Sequence, residues 1–280
     1  MKRERKRVKT NLDKIIAKIN ARKNDYCRIS NLQGWRDYLE DGDLAFSPQD
    51  LHEALKDTIS IIPYPKLLYP RKKNYFTAIN QDARFRPEEA LERFITLSNS
   101  KNYCNQFPLR IPKEYSDIFI MNDDSRHILV ELKSWESDNS PLYAIVESIK
   151  NLFLYRTIRR ENIPYHQDFK CFNDADIIVL APRSYYQYYD LIEEIDDSVV
   201  YHNRHLDVLS RTLSYLGIEF DTKITFMMLN LKKEVFLEHC KKCKNYKEKN
   251  GKKITYIFDE DALPELARNK WELLVSSDMR

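Results

Sequence analysis

Glycine is scarce in this sequence, with 4 residues among 280, and no glycine-rich loop of the G-x-G-x-x-G or Walker type is present. Long apolar runs are also missing, and none approaches the roughly 18 residues of a membrane-spanning helix. The basic opening lacks the apolar segment of a secretory signal. The sequence therefore excludes a glycine-loop nucleotide binder and predicts a cytoplasmic protein with no membrane partner.

Cysteine is limited to five residues, an odd number, and most of them stand alone in the sequence: Cys27, Cys104, Cys171, Cys240 and Cys243. We interpret them as reduced thiols. The segment HCKKC at 239–243 offers three metal-binding side chains, but a structural zinc site needs about four and no second pair follows. Because lysines surround this segment, we expect its cysteines to lie on an exposed loop.

Neither sign of charge is in large excess, since 46 Lys and Arg face 43 Asp and Glu, for a net charge of +3. This balance does not require a nucleic-acid partner, although whole-chain charge says little about local patches. The basic stretch from Lys2 to Lys9 is interpreted as a solvated tail, with a nucleic-acid-binding arm as the alternative.

The N-terminal part of the chain has helical patterns. Apolar residues recur at helical spacing in LDKIIAKIN and in SPQDLHEALKDTISII, where Ser47 is a candidate N-cap and Pro48 suits the first helical position. Several prolines then predict a linker or a domain boundary near 63–80. We therefore expect a mainly helical region over 1–75, serving substrate binding or oligomerisation.

The sequence pattern changes from residue 87 onward, where it predicts the order helix, three strands, helix, strand, helix, strand. Apolar runs without polar alternation, such as ADIIVLAP, predict strands that are covered on both faces. The predicted fold is α/β, with a mixed sheet flanked by helices over 76–235. A lysine-rich loop and a C-terminal extension are expected over 236–280.

Two of the apolar runs carry charges that buried strands rarely contain. The segment SDIFIMNDDSRHILVELKSW has Asp117 in its first run and Glu131 and Lys133 in its second. The turn sequence NDDSR predicts a hairpin centred on Asp124. In that register Asp117 lies opposite Glu131, and Lys133 follows on the same face.

Two carboxylates and an ammonium in one place predict a metal site. Adjacent carboxylates repel each other, and burial makes their ionisation still less favourable. A hard cation such as Mg²⁺ or Mn²⁺ relieves both effects and also accepts phosphate oxygens as ligands. A lysine beside it can hold a water molecule or stabilise charge on a phosphate, so the group suits metal-assisted phosphodiester hydrolysis. The structural alternative is an ion pair on a half-exposed sheet.

The aspartate, the loop and the E-L-K triplet ending at Lys133 resemble the PD-(D/E)XK nuclease superfamily. The surrounding order of elements over 80–230 is similar to the core of that superfamily. The resemblance implies a restriction-endonuclease-like fold, with Asp117 and Glu131 as metal ligands and Lys133 as the catalytic lysine. Ser116 replaces the usual preceding proline, which shapes the turn.

The resemblance also implies a glutamate ligand from the first core helix. Glu88 or Glu89 occupies this place, and we prefer Glu88 because it lines up with Glu92 along one helix edge. A purely structural interpretation is that an acidic first turn interacts favourably with the helix dipole.

Substrate-binding residues are expected on the second core helix, where some members carry a glutamine and a tyrosine four residues apart. This chain has Glu147 and Asn151 there, with Tyr155 one turn further on the same face. After the next strand, Arg183 stands beside several tyrosines. An arginine with aromatic neighbours can bind a backbone phosphate and stack on bases. An ordinary packing role for these tyrosines is an equally favoured interpretation.

These features predict a metal-dependent nuclease with DNA as the expected substrate. The resemblance alone implies a setting in defence or repair. The alternatives are a catalytically silent module of the same fold, binding nucleic acid or a protein partner, and a purely structural α/β protein. The sequence leaves open whether the chain forms a homo-oligomer.

Overall fold

The structure of the chain is a computed structural model. It describes residues 12, 14–15, 28–44, 46–60, 75–78, 87–98, 103–110, 114–122, 125–135, 137–161, 173–196, 198–241, 244–247, 254–257 and 271–278. The basic stretch at 2–9 lies outside the described residues, as do Asp124, Cys27, Cys171 and Cys243.

The described residues form helices α1 (Arg28–Asp41), α2 (Pro48–Ser60), α3 (Pro87–Ser98), α4 (Pro141–Arg160), α5 (Arg183–Tyr188), α6 (Asn203–Glu219) and α7 (Lys233–Lys241). They also form strands β1 (Tyr75–Ala78), β2 (Tyr103–Arg110), β3 (Glu114–Ile120), β4 (His127–Leu132), β5 (Ala175–Pro182), β6 (Ile192–Ile195), β7 (Ser198–Tyr201), β8 (Ile224–Leu229), β9 (Lys244–Lys247), β10 (Ile254–Ile257) and β11 (Trp271–Ser276). The helices and strands predicted from residue 87 onward correspond to α3, β2, β3, β4, α4, β5, α6 and β8.

Six strands form one mixed sheet in the order β11-β8-β5-β4-β3-β2. Strands β4, β5 and β8 run parallel to one another, while β2, β3 and β4 form an antiparallel meander. The predicted α/β architecture, a mixed sheet flanked by helices, is confirmed.

Apolar side chains cover this sheet on both faces. On one face, α4 and α6 pack against it, with Ile149 and Val179 fully buried. On the other face, α3 and α7 enclose Phe94, Leu180 and Phe236. The continuous apolar run of β5 is therefore explained, because both faces of this strand are buried.

Local sequence signals fix the starts of α2 and α4. The Asp50 N–H donates to Ser47 Oγ at 3.0 Å, and the Ser47 N–H donates back to Asp50 Oδ2 at 3.2 Å. At α4, the Tyr143 N–H donates to Ser140 Oγ at 3.3 Å, and Pro141 opens the helix. The predicted N-cap at Ser47 is confirmed.

Helices α1 and α2 share the apolar core on the α4 face of the sheet. Trp35 and Leu51 are almost completely buried there. The Trp35 Nε1–H donates to the Tyr189 carbonyl at 2.6 Å, which ties α1 to the turn after α5. The roles predicted for the N-terminal region, substrate binding or oligomerisation, stay predictions. Apart from β1, the predicted linker at 63–80 lies outside the described residues.

The C-terminal part contributes more structure than the sequence predicted. Strand β11 pairs antiparallel with β8 at the edge of the main sheet, and β9 and β10 form a second sheet with β1. Cys240 lies on α7 and is 5% exposed, so the expectation of an exposed loop cysteine is wrong for this residue. The reason is that α7 packs against the α3 face of the sheet. The thiols of Cys104 and Cys240 are both buried. None of the described helices is long and apolar enough to span a membrane.

Candidate active site

Asp117 and Glu131 lie on the neighbouring strands β3 and β4, close to the carboxyl end of β4. The ladder pairs Ile118 with Val130, and the same register places Asp117 opposite Glu131. The backbone N–H of Leu132 donates to Asp117 Oδ2 at 2.8 Å, which fixes the aspartate against β4. The hairpin register predicted from the sequence is confirmed.

Lys133 directly follows β4 and lies between two carboxylates. Its Nζ is 2.6 Å from Glu131 Oε1 and 3.2 Å from Glu147 Oε2 on α4. The Lys133 side chain is 3% exposed and that of Glu131 is 7% exposed. Asn151, one turn beyond Glu147, donates from Nδ2 to Glu131 Oε2 at 3.3 Å. Lys133 and Glu131 of the predicted trio therefore contact the face of α4 that carries Glu147 and Asn151.

Helix α3 adds Glu88 to this group. The Glu88 carboxylate accepts a hydrogen bond from the Ser134 backbone N–H, and its charge acts on Asp117 and Lys133. Glu89 instead pairs with Arg93 at 3.2 Å. Of the two glutamates considered from the sequence, Glu88 is the one that faces the site. We define the carboxyl-edge cluster by the residues Glu88, Asp117, Glu131, Lys133 and Glu147.

Burial dominates the acidity of three carboxyl groups in the cluster. Together with the charge of Glu88, it raises the pKa of Asp117 to about 7, despite the neighbouring Lys133 ammonium. Burial also raises the pKa of Glu131 well above its usual range, and the charge of Glu147 adds to the effect. The pKa of Glu88 is raised for the same reason. These carboxylates ionise at a cost in the absence of a further positive charge.

The other two members hold their charge. Burial alone would lower the pKa of Lys133, but the surrounding carboxylates outweigh it and raise that pKa well above its usual range. Burial alone would raise the pKa of Glu147, but the charges of Lys133 and Lys150 outweigh it and lower that pKa. Four carboxyl groups thus surround one ammonium.

The donor set of the cluster fits a hard divalent cation. All its potential ligands are oxygens, and a cation would neutralise the excess of buried carboxylate charge. Asn151 Oδ1 is a further buried oxygen, and no described residue donates a hydrogen bond to it. Within the described part of the chain, no three His, Cys, Asp or Glu side chains already stand in an arrangement that could hold a metal ion. Side chains would therefore have to turn to surround a cation.

Tyr155 lies in the core instead of on a substrate surface. It is fully buried, packs against the rings of Phe107 and Phe119, and donates from its hydroxyl to the Asn173 carbonyl at 2.8 Å. The helical spacing placed it correctly beyond Asn151, but the helix face runs inward at this point. The predicted substrate contact of Tyr155 is therefore not compatible with this structure.

Arg183 is engaged with acidic partners. Its Nη2 lies 2.9 Å from Glu272 Oε2 on β11, and its Nη1 lies 3.8 Å from Glu194 on β6. The described structure therefore gives Arg183 an ion-pairing role between strands, whereas the sequence predicted a phosphate contact. Among the adjacent tyrosines, Tyr185, Tyr186 and Tyr189 are buried and Tyr188 is 37% exposed, which favours the packing interpretation for three of them.

Two contributors to the site carry weak sequence signals. Glu92, one turn after Glu88, is buried and close enough to Asp117 for their charges to interact. Tyr143, one turn before Glu147, lies with its ring centroid 6.0 Å from Lys133 Nζ. The four-residue spacing from a predicted site residue is the signal that could have identified both.

Comparison with protein-family models, with curated proteins and with solved structures finds no match. The functional interpretation therefore depends on the residues and geometry of the site itself.

Proposed function

We propose that this protein is a metal-dependent nuclease of the PD-(D/E)XK type, which hydrolyses phosphodiester bonds with DNA as the expected substrate. The observation that carries the proposal is that the hairpin register sets Asp117 opposite Glu131, while Lys133 Nζ lies 2.6 Å from Glu131. Ordinary stability does not account for this cluster, since its buried carboxyl groups outnumber its single ammonium.

Asp117 and Glu131 are the proposed cation ligands, with Glu88 as the third. Their oxygens suit Mg²⁺ or Mn²⁺, and a bound cation would supply charge neutralisation at the phosphate and a more acidic water molecule. The Leu132 N–H holds Asp117 in place, and the Ser134 N–H holds Glu88. Asp117 and Glu88 are thus each oriented by a backbone donor at or just after the end of β4.

Lys133 is the proposed electrostatic catalyst. Its ammonium stays charged at neutral pH, because the surrounding carboxylates raise its pKa. A positive charge at this position would orient an attacking water or stabilise the charge that develops on the phosphate. Glu147 also contacts the ammonium, at 3.2 Å.

One observation favours a second candidate, a catalytically silent module that binds nucleic acid or a protein partner. The Lys133 ammonium already lies 2.6 Å from Glu131, where it satisfies part of the negative charge that a cation would otherwise neutralise. A protein that relied on this ion pair alone would keep its fold and need no metal.

A substrate survey separates the two candidates. Pure protein is incubated with plasmid, linear double-stranded DNA, single-stranded DNA and RNA, with Mg²⁺ or Mn²⁺, and binding is measured on the same preparation. The nuclease proposal predicts cleavage of at least one substrate. Binding without any cleavage would support the silent module, and neither binding nor cleavage would contradict both.

A further inference from the structure

Asn151 on α4 has one satisfied and one unsatisfied end. Its side chain is 3% exposed, and its Nδ2 donates to Glu131 Oε2 at 3.3 Å. Its Oδ1 is buried and accepts no hydrogen bond from any residue that the structure describes. Leaving a buried carbonyl oxygen unpaired is unfavourable, so such an atom calls for a physical explanation.

We propose that Asn151 is an additional cation ligand, which turns its carboxamide to present Oδ1 when a cation binds at Glu131. The inference rests on the proposed function, because it assigns a further residue to the same metal site. Without the cation, the amide donates to Glu131. With the cation, the carbonyl oxygen joins Glu131 in holding it.

The local geometry supports this exchange. A half-turn about the terminal torsion of an asparagine swaps the amide nitrogen and oxygen, and this torsion is soft. Oδ1 would then stand where Nδ2 stands now, 3.3 Å from Glu131 Oε2. Neighbouring oxygens around an octahedral Mg²⁺, each at about 2.1 Å from the ion, are about 3.0 Å apart.

The surroundings make the oxygen useful to a cation. An uncharged ligand adds coordination without adding to the excess of carboxylate charge around Lys133. Ser148 on the same helix is also buried, but its hydroxyl donates to the Ala144 carbonyl at 2.7 Å and so is already satisfied. Asn151 is thus distinguished from its buried polar neighbour by the atom that remains available.

The test is Mn²⁺ binding to the full chain, measured by titration calorimetry without any nucleic acid. Asn151→Ala should bind Mn²⁺ about 10-fold more weakly than wild type, while Ser148→Ala should bind it as wild type does. Asn151→Asp keeps an oxygen in place and should bind at least as tightly as wild type. If Asn151 acted only by donating to Glu131, Asn151→Asp would be as weak as Asn151→Ala, and the inference would be overturned.

Asp117→Asn distinguishes this inference from the proposed function. Wild-type protein that binds no Mn²⁺ overturns both. Wild-type binding that Asp117→Asn abolishes and Asn151→Ala leaves unchanged overturns the inference alone. If circular dichroism shows that Asn151→Ala does not fold, Asn151→Asp decides, since an affinity 10-fold below wild type contradicts the inference and an undiminished one supports it.

Discussion

Two charged clusters lie at opposite edges of the parallel strands β4 and β5. The carboxyl-edge cluster lies at their carboxyl ends. The other cluster, which we call the amino-edge network, lies at their amino ends and consists of Arg126, Arg156, Arg159, Asp174 and Asp176. Two groups of ionisable side chains therefore gather at the two ends of the same pair of strands.

In the amino-edge network, each aspartate is paired with at least one arginine through short hydrogen bonds. Arg156 donates to both oxygens of Asp174 at 3.0 and 2.9 Å, and Arg126 donates to Asp176 at 2.7 Å. Burial alone would raise the pKa of Asp174, but the hydrogen bonds from Arg156 and from the Ala175 N–H lower it overall. Ionisation of this aspartate therefore stabilises the fold.

The carboxyl-edge cluster has the opposite character. Its carboxyl groups outnumber its ammonium, and the pKa values of Glu88, Asp117 and Glu131 are raised. A fold that needed only stability would give each carboxylate its own cationic partner, as it does at the other edge. This difference supports the proposal that the carboxyl-edge cluster binds a cation, in line with the tendency of perturbed pKa values to mark functional sites.

The largest expected effect is the loss of cleavage in Lys133→Met. The side chain keeps most of its length and loses its charge, so the rate should fall about 10²- to 10³-fold, or roughly 2.7 to 4 kcal/mol. Nucleic-acid affinity should change little, because one phosphate contact among several is a small share. The measurement is cleavage and binding on one preparation, after circular dichroism confirms the fold.

Lys223→Met is the matched control for that variant. Lys223 lies at the opposite edge of the sheet, before β8, and pairs with Asp278 at 2.6 Å with its side chain 49% exposed. It should cleave as wild type does. Equal cleavage by both variants at the wild-type rate would contradict the role given to Lys133.

The next effect breaks the amino-edge network. Arg156→Met removes the two-pronged partner of Asp174 and a donor to the Asp221 carbonyl, so the free energy of unfolding should fall by about 1 to 3 kcal/mol. Cleavage by the folded protein should not change. Urea unfolding measures the free energy of unfolding. Arg160→Met is the control, since the Arg160 side chain lies on the same helix and is 73% exposed. Its free energy of unfolding should stay within about 0.5 kcal/mol of wild type. A loss of cleavage without a loss of stability would reverse the assignment of the two edges.

Asp117→Asn should raise the stability of the cation-free protein by up to about 4 kcal/mol at pH 8. The folded protein holds the Asp117 proton up to about pH 7, whereas the unfolded chain releases it near its ordinary pKa of 3.8. The folded state therefore binds more protons between these values, and stability falls as pH rises through this window. The gain from the substitution should be largest above pH 7 and nearly absent below pH 4.

Asp176→Asn is the counterpart at the other edge. It removes the 2.7 Å partner of Arg126, so it should destabilise the protein at neutral pH. Unfolding curves of both variants at several pH values make the comparison. A stabilising Asp176→Asn or a strongly destabilising Asp117→Asn would show that the two clusters do not differ as described.

The smallest expected effect concerns Tyr155→Phe. Loss of the hydroxyl that donates to the Asn173 carbonyl should reduce the free energy of unfolding by about 1 kcal/mol. Cleavage should be unchanged, because the ring is fully buried. Thermal unfolding and a cleavage assay measure the two quantities, and a selective loss of cleavage would restore the substrate role predicted for Tyr155.

Much of the site was predictable because the local pattern determines it. Hairpin register follows from the turn sequence and from strand alternation, so the pairing of Asp117 with Glu131 could be derived. Helical spacing gave the shared face of Glu147 and Asn151. The choice of Glu88 over Glu89 followed from the same reasoning.

Long-range packing limited the remaining predictions. Tyr155 has the spacing of a site residue, but only the position of β2 and β3 makes its end of α4 part of the core. Arg183 stands beside tyrosines in sequence, yet its partner Glu272 lies on β11, 89 residues further along the chain. The sequence pattern around β11 also gives no sign that this strand pairs with β8. Such contacts depend on the tertiary fold and not on local propensity.

The most direct test of the central claim is a cleavage time course on one substrate that responds in the survey. Wild-type protein is assayed with Mg²⁺, with excess chelator, and after Mg²⁺ is restored, beside Asp117→Asn under the first condition. If the carboxyl-edge cluster is a catalytic metal site, cleavage should stop with chelator, return with Mg²⁺ or Mn²⁺, and be lost in Asp117→Asn. Undiminished cleavage in chelator, or wild-type cleavage by a folded Asp117→Asn, would contradict it.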